Sequence, residues 1–351
     1  YEIMPSLVGS EMCIRDSSSA PRVRPVRATS RTGKNESFAC GCECIRTRKD
    51  VLYVVDLKGI VVPVVTPMHE DESINLDELR RQVDRQIESG IHGIFPFGTN
   101  GEGYILSGEE KKAVLETVVD QVAGRVPVYA GTGCISTKET IEQCKMAEAA
   151  GADIISVITP SFAKASQHEL IVHYQTVAEA VPNMPIVLYN IPMRTGNAIE
   201  PNTVLELAQV DNIVGAKDSS GDWDTLSAYI ELTKDLDFGI FSGNDALILK
   251  ALQTGAVGAI SGCANVYPKN MVGIYENWAA GNMEAAEACQ AAVAPLRSAF
   301  PYGNPNTVVK TAVNLLGFPV GKCRAPFNYL CDEGLEVLKA ALAADAEKGM
   351  C

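Results

Sequence analysis

From Val51 onward the apolar residues fall into a repeating order. A short run rich in Val and Ile comes first, then a turn with Gly or Pro, then a longer stretch whose apolar positions recur at helical spacing. The short runs occupy residues 59–65, 93–97, 126–130, 153–158, 185–189, 213–217, 238–241 and 256–260. Runs that are apolar throughout, rather than alternating, predict parallel strands covered on both faces. The stretches between them predict helices. In the first, Leu76, Leu79, Val83 and Ile87 share a face, and Gly90 stands where a helix-ending glycine would. Ser107 and Glu110 form a capping-box pattern ahead of the second. Further helices are expected over 136–151, 167–180, from Pro201, over 223–234 and 245–254, and from Pro268. Eight strand–helix units predict an α/β protein, and eight favour a closed (β/α)8 TIM barrel over a doubly wound sheet.

After Gly281 the period is purely helical, over 283–300, 307–316 and 335–344, which predicts a C-terminal helical extension. The expected organisation is a tail at 1–50, a catalytic barrel at 51–281 and the extension at 282–351. Residues 1–17 show neither period and resemble translated adapter sequence. Residues 18–49 carry eight Lys/Arg against two Glu, the composition of a transit peptide or of read-through sequence. The tail is expected to be disordered.

Charge and cysteine usage narrow the function. The tail holds 9 basic and 6 acidic residues, and the remaining 301 hold 21 and 37, so the body carries about −16. That balance argues against nucleic acid or an anionic membrane as partner. No apolar run reaches the ~20 residues of a membrane helix. Of eleven cysteines four lie in the tail, and the other seven are scattered singly with no CxxC pair. They read as free thiols in a reducing compartment. The expected location is the cytoplasm, or a plastid or mitochondrion if the basic tail is a transit peptide.

In a (β/α)8 barrel, reactive groups stand at the C-terminal ends of the strands. Here those ends carry Thr99 and Asn100, Thr132, Thr159, Tyr189, Lys217, Ser242 and Asp245, and Ser261. No His or carboxylate cluster has metal spacing, so no metal and no cofactor are expected. His69, His92, His168 and His173 are scattered and read as solvated. Lys217 ends an apolar strand, where a buried ammonium is costly; the bland alternative is a head group reaching water. A tyrosine at a strand end is more often core than catalyst, and Gly98-Thr-Asn-Gly101 could be a plain tight turn. Together, on separate strand ends, the set suits carbonyl chemistry through a Schiff base. A neutral amine attacks a ketone, hydroxyls move protons, and a glycine-rich turn holds a small carboxylate.

Three motifs in this order carry a family resemblance: Gly98-Thr-Asn-Gly-Glu102, Leu188-Tyr-Asn-Ile-Pro192 and Ile213-Val-Gly-Ala-Lys-Asp218. The body, from about Lys58 to Phe327, resembles the dihydrodipicolinate synthase / N-acetylneuraminate lyase family of pyruvate-dependent class I aldolases. The resemblance implies an imine between Lys217 and pyruvate or another 2-oxo acid. It implies Tyr189 as proton shuttle, Thr99 as relay, Asn100 as carboxylate holder through its backbone, and Gly243 and Ile260 as lining of the pyruvate pocket. It also implies a homo-oligomer, commonly a tetramer, acting on small molecules, pyruvate and an aldehyde.

The family divides by second substrate. Arg194-Thr-Gly196 matches the synthase branch, where this arginine meets the carboxylate of aspartate semialdehyde. Most synthases have a second Thr where this chain has Asn100, and a tyrosine given to the relay across a dimer where it has Phe162. The resemblance therefore implies a synthase of lysine and diaminopimelate biosynthesis, with a 2-keto-3-deoxy sugar-acid aldolase as the alternative and a non-catalytic binding barrel as a distant third. Gly103, Tyr104, Gly108 and Ile135 stand where many synthases bind feedback lysine, and no lysine inhibition is expected.

Overall fold

The protein is described here from a computed structural model covering residues 44–48 and 51–347. Two antiparallel strands come first, β1 (Cys44–Arg48) and β2 (Val51–Val55). β1 falls within the expected tail; the rest of that tail lies outside the described residues.

Eight parallel strands follow: β3 (Gly59–Val62), β4 (Gly93–Ile94), β5 (Tyr129–Gly131), β6 (Ile154–Ile158), β7 (Ile186–Asn190), β8 (Ile213–Asp218), β9 (Gly239–Ser242) and β10 (Gly258–Ile260). Their order is β4-β3-β10-β9-β8-β7-β6-β5, and a parallel bridge from Ile94 to Val128 joins the two ends. The ring is closed, as the eight-unit count predicts. Three strands are shorter than their apolar runs because proline has no N–H for the ladder. β3 stops before Pro63, β4 before Pro96, and β5 starts after Pro127.

Helices cover the outside: α1 (Leu76–Glu88), α2 (Gly108–Val122), α3 (Thr137–Ala150), α4 (Gln167–Ala180), the short α5 (Pro192–Thr195), α6 (Pro201–Leu207), α7 (Trp223–Thr233), α8 (Ile248–Thr254) and α9 (Pro268–Ala279). The Ser107 capping box forms, and a second one forms at Ser166 and Glu169. Alternate strand residues serve two cores. Ile60, Val62, Leu188 and Ile240 face the helices, whereas Val61, Phe95, Tyr129, Val187, Phe241 and Ile260 fill the interior. This division is why the strands are apolar at every position.

The extension comprises α10 (Met283–Ala291), α11 (Ala294–Arg297), α12 (Pro305–Leu315) and α13 (Asp332–Glu347). The single helix expected over 283–300 is interrupted, and Pro295 begins α11 as a first-turn proline can. Leu296, Val308 and Leu338 join the outer core of the barrel, so the extension is packed onto it. No helix among the described residues is long and apolar enough to cross a membrane.

The histidines depart from the solvated reading. His69 and His168 are exposed, but His173 is buried between α3 and α4, with Nδ1 2.9 Å from Thr137 Oγ1. His92 is half-buried and its Nδ1 accepts from the Ile60 amide at 3.2 Å. A histidine on a helix's inner face has no sequence mark that separates it from a surface one.

Candidate active site

Lys217 owes its direction to an irregularity in β8. Ile213 faces the outer core and Val214 the interior. Strict alternation would then turn Lys217 outward. The pairing with β7 instead slips by one residue, from Ile186–Ile213 to Val187–Gly215. This β-bulge resets the parity, so Gly215 faces Leu57 of the interior, Ala216 the outer core, and Lys217 the interior. Lys217 is 4% exposed. Its Nζ lies 3.9 Å from the centroid of the Tyr189 ring and 5.6 Å from that of Phe95. Aromatic faces ease burial of a cation without committing it to a carboxylate, which leaves the amine available to react.

Tyr189 is the register partner of Lys217 on β7. Its hydroxyl meets Thr99 Oγ1 at 3.0 Å. Burial alone would make the phenol harder to ionise. The neighbouring Lys217 ammonium, the hydrogen bond with Thr99 and the polar side chain of Ser219 close by outweigh that, and hold it below its ordinary value of 10.0. A phenol so placed can both give and take a proton beside the amine.

The neighbouring glycine and loop residues shape the space. A Cβ on Gly243 would collide with Ser219 Oγ and stand 2.9 Å from Lys217 Cε, so only glycine fits beside the lysine stem. Asp218 follows Lys217 but serves the scaffold. It accepts from Asn190 Nδ2 and from Ser220 Oγ, both at 2.7 Å, and burial raises its carboxyl. Thr99 and Arg194 line one cavity of about 500 Å³ with Tyr104, Thr159 and Phe327. Arg194 is exposed on α5. Asn100 sits next to Thr99, and a Cβ on Gly262 would stand 3.0 Å from its Oδ1. Ile260 is buried in the interior cluster that includes Phe95.

The structure thus gathers Lys217, Tyr189, Thr99 and Gly243 in contact, with Ile260 in the adjoining interior layer. Arg194 joins them through the cavity it shares with Thr99. Phe162 lies apart, 98% exposed on a left-handed backbone at φ +77. Sequence reasoning passed over Ser219, whose buried Oγ lies beside Tyr189. Its position two residues after Lys217 was the available signal, since i and i+2 share a side.

A barrel with a buried lysine, a tyrosine and a threonine hydroxyl together at its C-terminal face is the architecture of a class I, Schiff-base lyase. The chain belongs to the dihydrodipicolinate synthetase family, whose model matches residues 56–345. The 4-hydroxy-tetrahydrodipicolinate synthase of Methanopyrus kandleri is 43% identical over 289 residues, 82% of this chain and 95% of that protein. An uncharacterized DapA-like lyase of Halobacterium salinarum is 38% identical over 287 residues, 82% of this chain and 93% of that one. Among solved structures, the chloride-inhibited dihydrodipicolinate synthase of Acinetobacter baumannii complexed with pyruvate is 34% identical. It aligns with a TM-score of 0.80 over 84% of this chain and 99% of that one.

Proposed function

We propose that the enzyme condenses pyruvate with aspartate semialdehyde, as a 4-hydroxy-tetrahydrodipicolinate synthase does. The observation that carries the chemistry is Lys217 beneath Tyr189, with Tyr189 bonded to Thr99. The neutral Lys217 amine adds to the pyruvate ketone. Protons passing through Tyr189 and Thr99 allow the hydroxyl of the adduct to leave as water, forming the imine. The protonated imine then withdraws electrons from the methyl carbon, and loss of a proton there gives an enamine. Its carbon attacks the aldehyde, and the new alkoxide takes a proton. The α-amine brought by the semialdehyde then adds to the imine carbon, closing a ring, and the C–N bond to Lys217 breaks, so the cyclic product leaves and the lysine amine is restored. Asn100, through its backbone, and the glycine-rich turn hold the pyruvate carboxylate, Gly243 and Ile260 bound the pocket, and Arg194 receives the carboxylate of the semialdehyde.

The identity of the second substrate is supported by Arg194 at the cavity and by the similarity to named synthases. The second reading, cleavage of a 2-keto-3-deoxy acid to pyruvate and an aldehyde, is favoured by Phe162, which brings no hydroxyl to a relay. Steady-state assays with both substrate sets separate them. The expected result is condensation with aspartate semialdehyde at a kcat/KM at least tenfold above that for any cleavage substrate. No detectable condensation would sink the synthase reading. A homotetramer in the cytoplasm, insensitive to lysine, completes the proposal.

A further inference from the structure

The loop between β4 and α2, which carries Thr99 and Asn100, holds two non-glycine residues in the left-handed region: Phe97 at φ +64 and Glu102 at φ +56. Such residues persist only where their surroundings over-determine them. Much of that restraint comes from the C-terminal extension, about 200 residues away in sequence. Asn306, in the first turn of α12, donates Nδ2 to the Thr99 carbonyl at 2.6 Å and to the Tyr104 hydroxyl at 3.3 Å. One turn further along the same face, Lys310 donates Nζ to Glu102 Oε1 at 2.8 Å and to the Lys322 carbonyl at 2.8 Å. The second oxygen of Glu102 accepts from the Arg324 amide at 2.8 Å. Glu102 is 0% exposed and Lys310 1%. From the barrel side, Thr66 Oγ1 donates to the Gly101 carbonyl at 2.7 Å.

We propose that Asn306 and the Lys310–Glu102 ion pair are positioning residues for proton transfer: they fix the Thr99 backbone so that its hydroxyl stays on Tyr189. They act through Thr99, and the proposal rests on Thr99 and Tyr189 forming the relay. The C-terminal extension is then part of the catalytic apparatus by way of one loop. The loop needs this clamp because its own backbone disfavours the conformation that aims Thr99 inward.

The test is a double-mutant cycle in the full chain. Asn306→Ala is made alone and in a Thr99→Val background, with kcat, KM for pyruvate and the thermal midpoint measured for each. Asn306→Ala alone is expected to lower kcat about tenfold, and in the Thr99→Val background less than about twofold, because the hydroxyl it positions is gone. A merely structural role moves the thermal midpoint and gives the same fractional loss of kcat in both backgrounds, which overturns the proposal. Asn306→Asp guards against misfolding, being nearly isosteric yet unable to donate to the Thr99 carbonyl. It is expected to lose kcat as Asn306→Ala does, and full kcat in it overturns the proposal. Undiminished kcat in Thr99→Val alone removes the relay reading itself, and the proposal with it.

Discussion

At the scale of single residues, the site depends on what stands immediately beside Lys217. Gly243→Ala places a methyl group against the lysine stem and Ser219. Crowding of that kind costs roughly 1–3 kcal/mol. The expected outcome is a folded enzyme with kcat lowered at least tenfold, read in steady-state kinetics. His173 offers an independent check on burial. Desolvation holds its imidazole down to about 4, against 6.5 in a solvated chain. Between those values the unfolded chain binds more protons than the folded one. This contribution to stability is therefore fully present above pH 6.5 and is lost as pH falls through about 4, on the order of 3 kcal/mol in all. Urea unfolding of His173→Gln should show a shallower loss between pH 6.5 and 4 than the wild type. Lys217, Tyr189 and Thr99 were legible because each is a polar residue at the end of an apolar run. His173 was not, because the apolar face of α4 does not announce which polar residue it takes in.

At the scale of elements, the sequence shows the helices well and the strand details less well. The capping box at Ser107 states both the start of α2 and its first-turn contacts. The β8 bulge has no such mark, yet it decides whether Lys217 or Ala216 enters the barrel. The apolar runs overstate β3, β4 and β5, because proline cuts the ladder without interrupting the hydrophobic pattern. The link from α12 to the loop after β4 was beyond local reading: Glu102 ends the Gly98-Thr-Asn-Gly-Glu102 motif, but its partner lies 208 residues on. Removing one member of such a buried pair costs about 3–5 kcal/mol, and replacing both with apolar groups costs much less. Lys310→Met should thus unfold at markedly lower denaturant, and Lys310→Met combined with Glu102→Leu should recover much of the difference. Equal midpoints for the single and double variants would show that an unpaired buried Glu102 is not what destabilises Lys310→Met.

At the scale of the whole molecule, the ring of eight strands and its helical extension were anticipated from periodicity, and the family from three motifs. In the proposed reaction the second substrate is received by Arg194, which lines the cavity beside Thr99. Arg194→Ala should lower kcat/KM for aspartate semialdehyde by about 10²-fold, the scale of a lost charge-assisted contact, with KM for pyruvate changed less than about threefold. Equal losses for both substrates would instead place the arginine on pyruvate. Beneath the expectations about catalysis lies the imine on β8. Borohydride reduction in the presence of pyruvate, followed by peptide mass spectrometry, reads it directly. The expected result is one reduced pyruvyl adduct on Lys217 and none in Lys217→Ala. An unmodified Lys217, or an adduct on another lysine, contradicts the account.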